Sequence, residues 1–185
     1  MKSIFLKIAA IFSLGIILLS FEMPKGWIAA GSKPKSYEMG IVKGEGRDGK
    51  NCATVKSVDR KINGFGTLMQ MCSPEKFQGK RVKMTSYMKS DKVKEWAGMW
   101  FRADKGSVSV SFDNMEDRPI KGNTEWKKCE IVLDVPSNAT GLAYGVLLSG
   151  TGQVWFDEVS FEIVDAMVST TGTWNTTPKN LNFEE

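Results

Sequence analysis

The sequence predicts an all-β chain folded as a two-sheet antiparallel β-sandwich, and three observations support this. Eight strand-like runs recur at hairpin spacing, at 52–58, 66–72, 80–90, 96–103, 107–115, 127–135, 141–150 and 153–164. Clusters of Gly, Pro, Asn and Asp separate them. No segment carries an apolar stripe at helical spacing beyond one turn near Pro74–Phe77. Eight or nine short strands without intervening helices bury their apolar faces by packing sheet on sheet. The size agrees, since 185 residues less an N-terminal segment make one ordinary domain. An apolar share of 42% is enough to fill its core.

Residues 1–22 read as a signal peptide or an N-terminal membrane anchor. Lys2 and Lys7 precede the apolar run 8–21, whose fourteen residues suit a signal-peptide core better than a span of about 20. No A-x-A follows the run, and a cut after Ser20 leaves the bulky Leu18 three positions earlier. No cysteine follows it either, so a lipid-anchored form is not expected. The expected location is outside the cytoplasm: secreted, periplasmic or envelope-associated. Membrane contact would come only through an uncleaved N-terminal segment. Residues 23–165 are the expected domain, and 166–185 an extended polar C-terminal tail.

Charge and composition exclude several functions. The formal charge of +4 falls by two if Lys2 and Lys7 are removed, and the basic residues lie scattered among acids. No nucleic-acid partner is expected from so weak a field. Histidine is absent, which removes the commonest general base and the commonest zinc ligand. Gly44-Glu45-Gly46 has no following helix, so no phosphate-binding loop is present.

The first clear hairpin joins 52–58 to 66–72. Pairing residues whose numbers sum to 124 sets Val55 against Met69 and Ala53 against Met71 on an apolar face. The opposite face then pairs Thr54 with Gln70 and Cys52 with Cys72. A Cys52–Cys72 disulfide would close a loop of about 20 residues and contribute about 2–4 kcal/mol in an exported protein. The alternative is two ordinary buried thiols. Cys129 alternates with Ile131 and Leu133 and is expected to face the core.

The richest block runs from Trp96 to Trp126 and holds three of the six tryptophans. Alternation places Ala97, Met99 and Phe101 on one face and Trp96, Gly98, Trp100 and Arg102 on the other. In 107–115, Val108, Val110 and Phe112 share a face expected to be core, and Asp113 lies opposite. Trp100, Arg102, Asp113 and Asn114 are therefore the candidate ligand-binding set, with Gln70 and Arg118 as possible additions. An indole offers a flat apolar platform for a sugar ring, and Asp, Asn and Arg offer the paired hydrogen bonds that fix hydroxyls. The same residues also have a purely structural use. Asp113 and Asn114 suit a turn cap, Arg118 a rim ion pair with Asp113 or Asp117, and Trp126 a packing anchor.

These segments carry a resemblance. FQGKRVKMTSYMKS, WAGMWFRAD, FDNMEDRPIKGNTEW, VLDVP and GVLLSGTGQVWFDEVSFEIV together resemble a galactose-binding-like jelly roll, the sandwich used widely by carbohydrate-binding modules. The likeness is to a bacterial module found alone, fused to transcriptional regulators, or ahead of secreted tail-type serine peptidases. It spans about Pro24 to Val164. Many such sandwiches hold a structural calcium through an early acid and an Asp opening the last strand. Here only Glu22 and Asp157 match those positions, and two acids do not specify six to eight oxygens. No cofactor is expected, with a structural calcium through Asp157 as the alternative; Asp157 also has the simpler use of accepting backbone hydrogen bonds at a strand corner.

The expected function is an exported, non-catalytic binding module for a carbohydrate or similar polar ligand. The alternative is a structural or protein-interaction accessory domain of the cell envelope with no small-molecule site. An enzyme is not expected. Asp113, Glu116 and Asp117 sit on one loop, and nothing sets one of them across a cleft from another.

Overall fold

The computed structural model describes residues 21–172, and these hold nine strands and one 3-10 turn, Pro34–Ser36. The strands are β1 (Ile28–Gly31), β2 (Tyr37–Val42), β3 (Cys52–Ser57), β4 (Phe65–Cys72), β5 (Lys80–Lys105), β6 (Val108–Asp113), β7 (Ile120–Val135), β8 (Gly141–Ser149) and β9 (Gln153–Val164). All pairings are antiparallel. The fold class expected from the sequence is the one observed.

β5 organises the molecule. Its first part, Lys80–Asp91, lies between β7 and β9, and its last part, Trp96–Asp104, pairs with β8 and β6. One layer therefore runs β1-β4-β8-β5-β6 and the other β7-β5-β9-β3-β2. Between them β5 bends, with three register shifts against β7 from Met88 to Ala97. Lys92 takes a φ of 52° there, and its N–H donates to Asn123 Oδ1 at 2.7 Å. The sequence runs 80–90 and 96–103 are two ends of one strand.

The core lies between the layers. Met84, Met88, Ile131 and Val154 of one layer and Leu68, Met99, Phe101, Val146 and Leu148 of the other are sealed from solvent. Each such side chain contributes about 1.5–3 kcal/mol by leaving water. Aromatic pairs lock the two faces: Phe101 meets Phe161 at 5.4 Å, Tyr144 meets Phe161 at 4.7 Å, and Trp27 meets Phe156 at 5.6 Å. Cys129 is buried in this core, as its alternation implied.

The expected 52–72 hairpin does not form. β3 pairs with β2 (Met39 with Val55) and with β9, whereas β4 pairs with β1 and β8 in the other layer. Residues 58–64 cross between layers rather than turning back, with Ile62 buried beneath. The Cys52–Cys72 disulfide is accordingly absent, and all three cysteines are free thiols. Cys52 is buried and Cys72 exposed. Burial, with the carboxylates of Asp157 and Glu45 nearby, pushes the Cys52 thiol up to about 11. A thiol reagent at pH 8 should modify only Cys72 in the native protein, more slowly than a free thiol because desolvation raises its pKa, and reach three thiols only after denaturation. Fast modification of two or more native thiols would contradict this burial.

Tyr37 ties the turns at one end together. Its hydroxyl donates to the carbonyls of Gly150 at 2.9 Å and Gly64 at 3.1 Å. Burial, reinforced by the charge of Glu95, raises its pKa to about 12. The folded state keeps this proton where the unfolded chain has lost it, so stability is complete below about pH 10 and falls as pH rises toward 12. Melting curves at pH 9 and pH 11.5 should show a larger loss in the wild type than in Tyr37→Phe.

Beyond β9 the chain stays on the sandwich as far as the described residues go. Arg81 pairs with Asp134 at 2.8 Å and donates to the carbonyls of Ala166 and Val168. Thr171 N–H donates to Val132 O, and Thr171 Oγ1 accepts from Val132 N, both at 2.8 Å. This segment covers the outer edge of β7, which would otherwise expose unpaired backbone groups. Residues 1–20 and 173–185, which hold all but Phe21 of the apolar run and most of the expected tail, lie outside the described residues.

Candidate functional site

The outward face of the β1-β4-β8-β5-β6 layer forms a groove. Cross-strand register builds it in rows: Phe65, Ser149 and Trp96; then Ala30, Thr67 and Leu147; then Ile28, Met69, Gly145 and Trp100; then Met71, Ala143, Arg102 and Phe112. Gly145 has no side chain between Met69 and Trp100, and a Cβ there would come within 2.4 Å of Leu68 O. The indole of Trp100 occupies this part of the floor. The groove encloses about 360 Å³.

Trp100 is the centre of this floor. It is only 7% exposed, packed on Ala143 and Leu147 with Met69, Trp96 and Phe112 around it. Its Nε1–H donates to Thr67 Oγ1 at 2.8 Å, and that hydroxyl donates to Val146 O at 2.9 Å. Little of the ring remains as an open platform. Trp96 and Phe112, both half-buried, form the accessible aromatic walls. Arg102 stands beside Trp100, its guanidinium carbon 6.0 Å from the ring centre, with Nε held by Asp104 at 2.8 Å. Asn114 lines the same end, its Oδ1 accepting from Glu116 N–H at 3.1 Å.

Three members of the expected set lie elsewhere. Phe101, a core residue, pairs in register with Asp113, and Arg102 with Phe112, so β6 presents the face opposite to the one expected. Phe112 belongs to the groove and Asp113 to the interior, while Val108 and Val110 are exposed at 61% and 41%. The reason is position: β6 is an edge strand, and its pairing with β5 overrides its own alternation. Asp113 accepts from Met115 N–H at 2.8 Å, from Arg118 at 2.5 Å and from Thr171 Oγ1 at 2.5 Å. Arg118 also reaches Asp117 at 2.7 Å and Glu130 O at 3.2 Å. Burial opposes the Arg118 charge, but the two carboxylates outweigh it and raise its pKa. Both residues hold the 113–118 turn and the C-terminal segment, the structural use weighed for Arg118.

Gln70 is also turned inward. It pairs in register with Tyr144, and Tyr144 OH donates to Gln70 Oε1, so Leu68 and Gln70 face the interior and Met69 and Met71 face outward. This reverses the expected placement of β4 and follows from its pairing with β8. The residues missed by sequence reasoning are Phe112, read there as core, and Phe65, Thr67, Met69, Leu147 and Ser149, whose strands join the groove only through sheet order.

Trp126 lies on the other layer. Lys89 Nζ sits 5.4 Å from its ring centre and 4.6 Å from that of Trp155. Asp157 accepts backbone N–H groups of Arg47 at 3.0 Å and Glu158 at 2.8 Å, the corner role read for it. Among the described residues, no group of three or more Cys, Asp or Glu converges as a metal site.

Comparisons with known proteins can now be set against this geometry. No protein-family model matches the chain. It is 42% identical over 168 residues to the uncharacterized HTH-type transcriptional regulator YbfP of Bacillus subtilis (strain 168), covering 87% of this chain and 57% of that protein. The chain thus spans little more than half the length of that relative. Among solved structures it is similar to the CBM22-1 xylan-binding domain of Paenibacillus barcinonensis Xyn10C, with TM-score 0.55 and 16% identity over 80% of this chain and 91% of that one. It is also similar to the Stig cyclase FisC from Fischerella sp. TAU, with TM-score 0.56 and 15% identity over 78% and 89%. At such identities the likeness is one of fold: the chain shares the two-sheet antiparallel β-sandwich of these solved domains.

Proposed function

We propose that the chain is an exported, non-catalytic binding module whose groove takes a carbohydrate or a similar polar ligand. The observation that carries this is the aromatic groove on the outward sheet face, floored by Trp100 and walled by Trp96 and Phe112, with Arg102 and Asn114 at one end. Flat apolar rings beside a few fixed donors suit stacking on the C–H face of a sugar.

Two further points support the reading. No carboxylate lines the groove: Asp113 points inward, Asp104 holds Arg102, and Glu116 lies exposed on its turn. General acid–base hydrolysis needs two carboxylates flanking the bond to be broken. Similarity to a regulator points the same way, because a helix-turn-helix needs two helices. The described residues contain none, so what they share with that relative suits a sensing portion better than a DNA-reading one. Export rests on Lys2, Lys7 and the apolar run after them. Mass spectrometry of the exported protein should find a mature N-terminus near Phe21, and a retained residue 1 in soluble protein would remove this part.

The test of binding is a glycan array with Trp96→Ala, chosen because Trp96 is only half-buried. Wild-type binding should weaken at least tenfold, about 1.4 kcal/mol, at nearly unchanged stability. The second reading, a protein-interaction domain, draws on the exposed apolar side chains bordering the groove, Ile28 at 51% and Met71 at 64%. No glycan bound, with a specific protein recovered whose capture Met71→Ser weakens, would favour it.

A further inference from the structure

Taking the groove as the ligand site just proposed, we infer that its ligand is amphipathic: a sugar bearing an apolar aglycone, aryl or short alkyl, rather than a chain of unsubstituted sugars. The argument is a count of hydrogen-bonding groups already committed within the protein. Four polar side chains line the groove, and each has its own partner. Thr67 Oγ1 is spent between Trp100 Nε1 and Val146 O. Ser149 Oγ donates to Glu95 at 2.8 Å. Asn114 Oδ1 accepts from Glu116, and Arg102 Nε is held by Asp104. The donors left open among the described residues are the Asn114 amide N–H₂, the terminal nitrogens of Arg102 and the Trp96 Nε1–H, all on the β5–β6 side, while Ser149 Oγ keeps only acceptor lone pairs.

The β1–β4 side offers no such side-chain donors. Ala30, Phe65 and Met69 line it, with Ile28 beside Met69 in its row and Met71 in the next. A hydroxyl laid on that side would give up water for nothing, a desolvation cost without return. An apolar substituent laid there would gain from every contact, and flexible methionines adapt to its shape. The charge distribution fixes the orientation. Acceptor oxygens of a sugar meet Arg102 and Asn114, the sugar ring lies against Phe112 above the enclosed Trp100, and the aglycone runs over Leu147 toward Met69 and Phe65.

Calorimetric titration of the wild-type protein with methyl and phenyl β-glycosides of xylose, glucose and galactose, and with xylohexaose, tests this. Within at least one sugar, the phenyl glycoside should bind about tenfold or more tighter than the methyl glycoside. It should also bind tighter than xylohexaose. Phe65→Ser, at a site already 37% exposed, should erase the phenyl advantage, bringing the ratio of phenyl- to methyl-glycoside affinity close to one. Equal affinity for the two glycosides, or tighter binding of xylohexaose, would overturn the amphipathic ligand while leaving a carbohydrate site in place. A phenyl advantage that survives Phe65→Ser would overturn the orientation. Binding of none of these probes at millimolar concentration would overturn this inference, and a glycan array equally blank would remove the groove reading with it.

Discussion

Replacing Asp113 by alanine is expected to cost about 3–5 kcal/mol, because it removes the one partner that three separate groups share. The Asp113 side chain is 2% exposed, and its loss leaves the half-buried guanidinium of Arg118 with the exposed Asp117 as its remaining carboxylate, beside the Glu130 carbonyl. The Met115 N–H loses its acceptor in a turn where Met115 takes a φ of 62°, a conformation that needs outside support. Thr171 loses its anchor to β6, so the segment covering the β7 edge is loosened at the same time. Denaturant unfolding of single and double variants would measure this. Arg118→Leu added to Asp113→Ala should recover part of the loss, since removing both charges leaves none unpaired in the interior. A double variant at least as unstable as the single would show that the turn and the segment, not the ion pair, carry the effect.

The second large effect is expected at Trp100, where alanine should cost about 3–5 kcal/mol and abolish binding in the same step. The ring is nearly enclosed, so its removal leaves a cavity between Leu147, Ala143 and Met69, and frees Thr67 Oγ1 from its donor. Loss of ligand in this variant therefore proves little unless its stability is measured alongside. Trp100→Phe separates the contributions: it keeps most of the packing but cannot donate to Thr67. It should retain groove shape at a cost of about 1–2 kcal/mol. Thermal unfolding and ligand titration of both variants give the comparison. A Trp100→Ala protein of wild-type stability would show that the ring is not the floor described.

The alternation of WAGMWFRAD assigned every side chain of that stretch correctly, Met99 and Phe101 inward, Trp100 and Arg102 outward. It succeeded because this half of β5 is central in its layer, where one face is wholly buried. The same reasoning failed for β4 and β6. In GTLMQMC both faces carry apolar residues, since the outward one lines a groove, and hydrophobicity alone cannot choose between them. Asp113 was legible as a cap and Arg118 as its partner, but their burial depended on the C-terminal segment folding over them. The Cys52–Cys72 pairing assumed that neighbouring strands pair. In this sandwich the chain changes layer between β3 and β4, and short-range sequence contains no mark of that step. β1 and β2 also went unread, β1 being only four residues of small side chains (IAAG) and β2 only six (YEMGIV).

The length of β5 has a consequence for how the protein comes apart. Four other strands, β6 through β9, hydrogen-bond directly to this one continuous segment, and both layers share it as their spine. Neither sheet owns a backbone that can persist after the other is lost. In amide hydrogen exchange, protected sites on the two layers should open with one free energy, as a single cooperative unit rather than two. Folding must also wait for partners distant in sequence, such as Arg81 with Val164, which makes it slow for a chain of this size.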